Sequence, residues 1–126
     1  MKVLITGGAG YIGSTVASAC EDAGHDVVIL DDFSTGRREF IGERPLYEGD
    51  IADDSLLDRL LGEQRIDAVV HCAAKIIVPE SVSEPLAYYE NNVAKTVTLL
   101  AALQRNGVER FLFSSSANLA DRKSVV

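Results

Sequence analysis

Thr6-Gly7-Gly8-Ala9-Gly10-Tyr11-Ile12-Gly13 is the stretch whose reading decides the fold. In front of it stands Val3-Leu4-Ile5, a short apolar run without polar alternation. Such a run marks a strand buried on both faces, and therefore a parallel sheet covered by helices. Behind it begins a segment with helical periodicity. Gly7, Gly10 and Gly13 recur at every third position. That spacing lets the chain turn sharply, lets a pyrophosphate approach the backbone, and lets the helix pack close to the strand. The helix opening there directs free N–H groups and a partial positive charge at the turn. A tight turn with no ligand is the alternative reading of the glycines alone.

Working outward, the periodicity predicts a helix over Tyr11 to Ala23, with Ile12, Val16, Ala19 and Ala23 on one stripe and Gly24 as its stop. Val27-Val28-Ile29-Leu30 reads as a second strand ending in Asp31-Asp32, and Leu46-Tyr47-Glu48 as a weaker third. Asp53 is a suitable N-cap for a helix carrying Leu56, Leu57, Leu60 and Leu61. Ala68-Val69-Val70-His71 is a fourth strand. Ser83, with Pro85 in the first turn, opens a long helix whose apolar stripe runs Leu86, Tyr89, Val93, Val97, Leu100 and Leu103 before Gly107. Phe111-Leu112-Phe113 is a fifth strand. This order predicts an α/β, Rossmann-type, doubly wound parallel sheet of five strands. Ligands of such sheets lie at the carboxyl ends of the strands, where every motif here falls.

Asp31, at the end of the second strand, is the acid that the glycine turn requires if its ligand is a dinucleotide. A carboxylate there accepts hydrogen bonds from the adenosine ribose hydroxyls and repels a 2′-phosphate, which favours NAD over NADP. Arg37 and Arg38 are the residues that speak for the phosphorylated cofactor. Within 126 residues there is room for one domain, and a net charge of −7 argues against a nucleic-acid surface. No apolar run approaches a membrane span, and MKVLITGG enters a strand pattern directly, so a soluble cytoplasmic protein is expected. Cys20 and Cys72 lack metal-ligand spacing and read as reduced core thiols, with no metal site. His71, at the end of a buried strand, reads as a structural histidine.

The stretches MKVLITGGAGYIGS, GHDVVILDDFSTGRRE, YEGDI, HCAAKIIVPESVSEPLAYYENNV and RFLFSSSA together resemble the UDP-glucose (UDP-galactose) 4-epimerases of the extended short-chain dehydrogenase/reductase superfamily. The resemblance runs from Met1 to about Ala117. It implies that Tyr11 and Ile12 flank the pyrophosphate of NAD, that Asp31, Asp32, Phe33, Ser34, Thr35 and Gly36 surround the adenosine ribose, and that Asp50 and Ile51 meet the adenine. It implies further that Cys72, Ala73, Ala74 and Lys75 line the cofactor, that Asn91 contacts its ribose region, and that Ser116 assists proton transfer at the sugar 4-hydroxyl. Cys72 departs from the aromatic residue common in the family. A UDP-sugar substrate and a homodimer formed through the helix around residues 84–105 are implied for the parent enzyme. A related nucleotide-sugar dehydratase or decarboxylase, or a non-enzymatic NAD-binding module, are the competing readings.

Proton removal from the 4-hydroxyl requires a base, in this superfamily the Tyr of a Tyr-x-x-x-Lys pair. The tyrosines here are Tyr11, Tyr47, Tyr88 and Tyr89, and none precedes a lysine at that spacing. The resemblance therefore implies an incomplete NAD-binding domain over residues 1–119, lacking the later strands and the substrate domain. Residues 120–126 do not continue the family pattern. Asp121 to Val126 back-translates as GAT CGG AAG AGC GTC GTG, the end of a common sequencing adapter, so this tail is expected to be non-native, with a natural frameshift or an engineered end as the alternative.

Overall fold

The computed structural model describes residues 1–33, 37–72 and 85–113, apart from the side chains of residues 85–92 and 113. The strands are β1 (Lys2–Thr6), β2 (Asp26–Asp31), β3 (Leu46–Glu48), β4 (Ala68–His71) and β5 (Arg110–Phe113). The helices are α1 (Tyr11–Asp22), α2 (Asp54–Gln64) and α3 (Pro85–Arg105). A short 3-10 turn over Arg38–Phe40, not anticipated from the sequence, interrupts the connection between β2 and β3. Ser83, and the boundary expected at Leu119 with the tail after it, lie outside the described residues.

All strand pairs are parallel and the sheet runs β3-β2-β1-β4-β5. The chain lays β2 and β3 on one side of β1, then returns to lay β4 and β5 on the other. The order therefore reverses between β1 and β4, the switch point of a doubly wound sheet. Alternate residues feed two cores. Leu4, Val28, Leu30 and Val69 meet Leu56, Leu57, Leu60 and Leu61 of α2 and Leu99, Ala102 and Leu103 of α3. Val3, Ile5, Val27 and Ile29 pack with Ala17 of α1 on the other face. Asp53 caps α2, its carboxylate accepting the Leu56 N–H at 3.2 Å, and Gly24 ends the α1 region at φ 89°.

Two helix faces differ from the expected stripes. In α1 the fully buried residues are Gly13 and Ala17, with Val16 and Cys20 packed beside them, while Ala19 and Ala23 face solvent. The cause is Gly13: a Cβ there would lie 2.2 Å from the Gly7 carbonyl oxygen. The helix presents its side-chain-free position to the turn and is thereby rotated about its axis. In α3 the expected stripe is split. Leu103 is buried, but Val93, Val97 and Leu100 are 61%, 58% and 41% exposed, and the sheet-facing stripe is Leu99, Ala102 and Leu103. Leu86 and Tyr89, also counted in that stripe, belong to the undescribed side chains. A helix with apolar residues on two sides gives a pattern from which periodicity alone does not select the sheet-facing side.

Candidate functional site

At the carboxyl ends of β1 and β2 the glycine-rich turn is fastened along its length. Gly7 N–H donates to the Leu30 carbonyl at 2.7 Å and Gly10 N–H to the Gly7 carbonyl at 3.1 Å. Gly7 itself sits at φ 72°, in the left-handed region that favours glycine. Ala9 is held from two sides: its N–H donates to Asp31 Oδ2 at 2.9 Å, and its carbonyl accepts the Arg37 N–H at 2.9 Å. Gly10 caps α1, whose first turn carries no acidic residue. Tyr11 at that N-terminus is 78% exposed and Ile12 is half-buried. A backbone cradle thus opens at the positive end of α1, with the Gly13–Gly7 contact keeping helix and turn close.

Asp31 is buried. Its second oxygen accepts the Phe33 N–H at 2.7 Å, with Phe33 in the left-handed region at φ 59°. Each carboxylate oxygen has two acceptor positions, and among the described residues backbone N–H groups use one on each. Asp31 therefore anchors the turn as well as presenting a charge, a role the sequence did not disclose. Asp32 is exposed beside it. Of the two arginines that argued for a 2′-phosphate, Arg38 is engaged: its guanidinium lies 4.4 Å from the Phe33 ring centre and pairs with Glu48.

Beyond β3, Gly49 N–H donates to the Asp31 carbonyl at 3.0 Å, which sets Asp50 next to the end of β2. Asp50 Oδ1 accepts the Ala52 N–H at 2.7 Å and Oδ2 accepts Lys95 Nζ of α3 at 2.9 Å. Ile51 packs partly against the α2 side of the core. The structure therefore gathers Gly7, Gly10, Tyr11, Ile12, Gly13, Asp31, Asp32, Phe33, Asp50 and Ile51 along one edge of the sheet. Ser34, Thr35, Gly36, Ala73, Ala74, Lys75 and Ser116 lie outside the described residues, as does the side chain of Asn91.

At the switch point, β1 and β4 are joined by a buried polar contact that the sequence reading passed over on the β1 side. Thr6 Oγ1 lies 2.6 Å from His71 Nδ1 and accepts the Cys72 N–H at 3.1 Å. The signal was present in the sequence as a lone threonine closing an apolar strand. Burial lowers the His71 pKa from 6.5 to about 4, so the ring is neutral at pH 7. Lys95 was also missed, since a lysine on a long helix ordinarily reads as solvated. Among the described residues no His, Cys, Asp and Glu cluster could hold a metal ion, and no helix is long and apolar enough to cross a membrane.

This geometry has close counterparts. A model of the NAD dependent epimerase/dehydratase family matches residues 3–125. A UDP-glucose 4-epimerase of Azospirillum brasilense is 55% identical over 117 residues, which span 92% of this chain and 34% of that protein. A UDP-glucose 4-epimerase of Klebsiella pneumoniae is 42% identical over 127 residues, 94% of this chain and 91% of that one. The crystal structure of a UDP-glucose 4-epimerase from Stenotrophomonas maltophila, with bound NAD and formylated UDP-arabinopyranose, superposes with a TM-score of 0.87 at 38% identity, covering 94% of this chain and 38% of that one. Against the Azospirillum relative, the chain spans about a third of the length.

The buried histidine carries a stability prediction. Its folded pKa lies below its unfolded one, so the unfolded state binds more protons between pH 6.5 and about 4. Its contribution is complete above pH 6.5 and is lost as the pH falls toward 4, by up to about 3 kcal/mol. Urea midpoints measured from pH 7 down to pH 4 should fall more steeply for the wild-type chain than for His71→Gln. Parallel profiles would refute the buried neutral ring.

Proposed function

The chain belongs to the NAD dependent epimerase/dehydratase family, and from this premise we propose that it forms the NAD-binding part of a UDP-glucose 4-epimerase. The observation that carries the reading is the glycine turn bound through Ala9 to the buried Asp31 carboxylate. The residues fit NAD on three counts. The Gly13–Gly7 contact leaves no space for a Cβ and holds the cradle open to a pyrophosphate. The α1 N-terminus is free of acidic residues in its first turn. Asp31 retains acceptor positions for a vicinal diol.

In the reaction proposed for the parent enzyme, NAD supplies reversible hydride acceptance at C4 of a UDP-sugar. This chain's own residues bind and orient. The turn and the α1 N-terminus hold the pyrophosphate, Asp31 and Asp32 the adenosine ribose, and Asp50 and Ile51 the adenine. Cys72, Ala73, Ala74 and Lys75 line the cofactor, and Asn91 contacts its ribose region. Ser116 orients the sugar 4-hydroxyl for proton removal by a tyrosine of a Tyr-x-x-x-Lys pair, which these 126 residues do not contain. Residues 1–119 form the cofactor domain in this reading, the 120–126 tail is foreign to it, and the setting is cytoplasmic. The exposed Val93, Val97 and Leu100 face of α3 pairs with the same face of a second copy.

Three outcomes test the proposal. In a calorimetric titration the wild-type chain binds NAD, and Asp31→Ala weakens binding at least about tenfold, because a charge-assisted acceptor contributes about 1.5–3 kcal/mol and the turn loses its anchor. An unchanged dissociation constant would refute the role of Asp31. In a coupled assay the same chain does not convert UDP-galactose, for want of the base; measurable turnover would overturn the catalytic assignment. Light scattering should show Val97→Glu shifting the chain from dimer toward monomer, and an unaltered dimer would place the interface elsewhere.

A further inference from the structure

Lys95 reaches the proposed adenosine edge from α3. Its aliphatic stem is partly buried and its ammonium lies 2.9 Å from Asp50 Oδ2, with the two side chains 34% and 43% exposed. The other Asp50 oxygen is held by the Ala52 N–H. Contacts on different oxygens, one from its own turn and one from α3, orient this carboxylate.

The charge balance at this edge gives the pair a purpose. Asp31, Asp32 and Asp50 lie together at the ends of β2 and β3, through the Gly49 N–H bond to the Asp31 carbonyl. A dinucleotide is itself an anion, so each unscreened carboxylate there opposes its binding. The loop arginines are themselves paired, Arg38 with Glu48 and Arg37 with Glu39. Resting on the NAD reading above, we propose that Lys95 is a positioning residue for the adenosine half. It neutralises Asp50 and aims its carboxylate, so that Asp50 accepts a hydrogen bond from the adenine amino group without repelling the phosphates.

The test compares the full chain with Lys95→Met, which keeps the apolar stem, and Lys95→Arg, which keeps the charge. NAD and AMP are titrated into each at low salt. Lys95→Met should weaken both ligands about three- to fivefold, the scale of one partly exposed charge pair, and Lys95→Arg should restore affinity to within about twofold. In an Asp50→Asn background the further change Lys95→Met should have no added effect. The loss should shrink at about 0.5 M salt, and the melting temperature should move by no more than about two degrees. Wild-type affinity in Lys95→Met would overturn the inference, as would a loss matched by a large fall in melting temperature, which marks a purely structural pair. A wild-type chain that binds neither NAD nor AMP would instead overturn the dinucleotide reading itself.

Discussion

The hydrogen bond from Ala9 N–H to the buried Asp31 carboxylate is the interaction on which the site depends. It ties the turn after β1 to the end of β2. A buried carboxylate is costly unless its oxygens are satisfied, and here the backbone of Ala9 and Phe33 supplies what water would have supplied. The same bonds hold the turn in the shape proposed to receive a pyrophosphate. Folding and the proposed ligand binding thus draw on one arrangement: the turn is held in place because the acid must be satisfied.

The sheet distributes the remaining work. Its reversal between β1 and β4 brings the Thr6–His71 contact to the middle of the ligand edge and the Asp31–Asp50 group to one side. Helix α3 spans both concerns. Leu99, Ala102 and Leu103 bind it to the sheet, Lys95 reaches the end of β3, and Val93, Val97 and Leu100 look outward. The helix runs 21 residues, so one element carries both the sheet-facing stripe and the lysine that meets Asp50. Arg105 adds a clamp to Asp54 and Asp58 of α2, an exposed set whose energetic weight is small.

Much of this was legible because it is local. Strand runs, the Asp53 cap and the glycine spacing each follow from the chemistry of neighbouring residues, and the structure has them where the pattern put them. Helix faces were less legible. The α1 stripe was misassigned because a glycine has no hydrophobicity to register, although Gly13 sets how the helix sits. The α3 stripe mixes the sheet-facing Leu103 with the exposed Val93, Val97 and Leu100, because two apolar faces overlap in one periodic pattern. The 3-10 turn at Arg38–Phe40 lies in a polar loop with no periodicity to read.

What the sequence by itself determined is the succession of elements, the parallel sheet, and the presence of a glycine cradle with an acid one strand away, since each is a short-range consequence of residue type. The tertiary structure alone decided that Asp31 holds Ala9, that Thr6 meets His71, and that Lys95 meets Asp50. These pairs are separated by 22, 65 and 45 residues. Only strand order and helix rotation bring such distant polar groups within hydrogen-bonding distance, and neither is written in any one stretch of the chain.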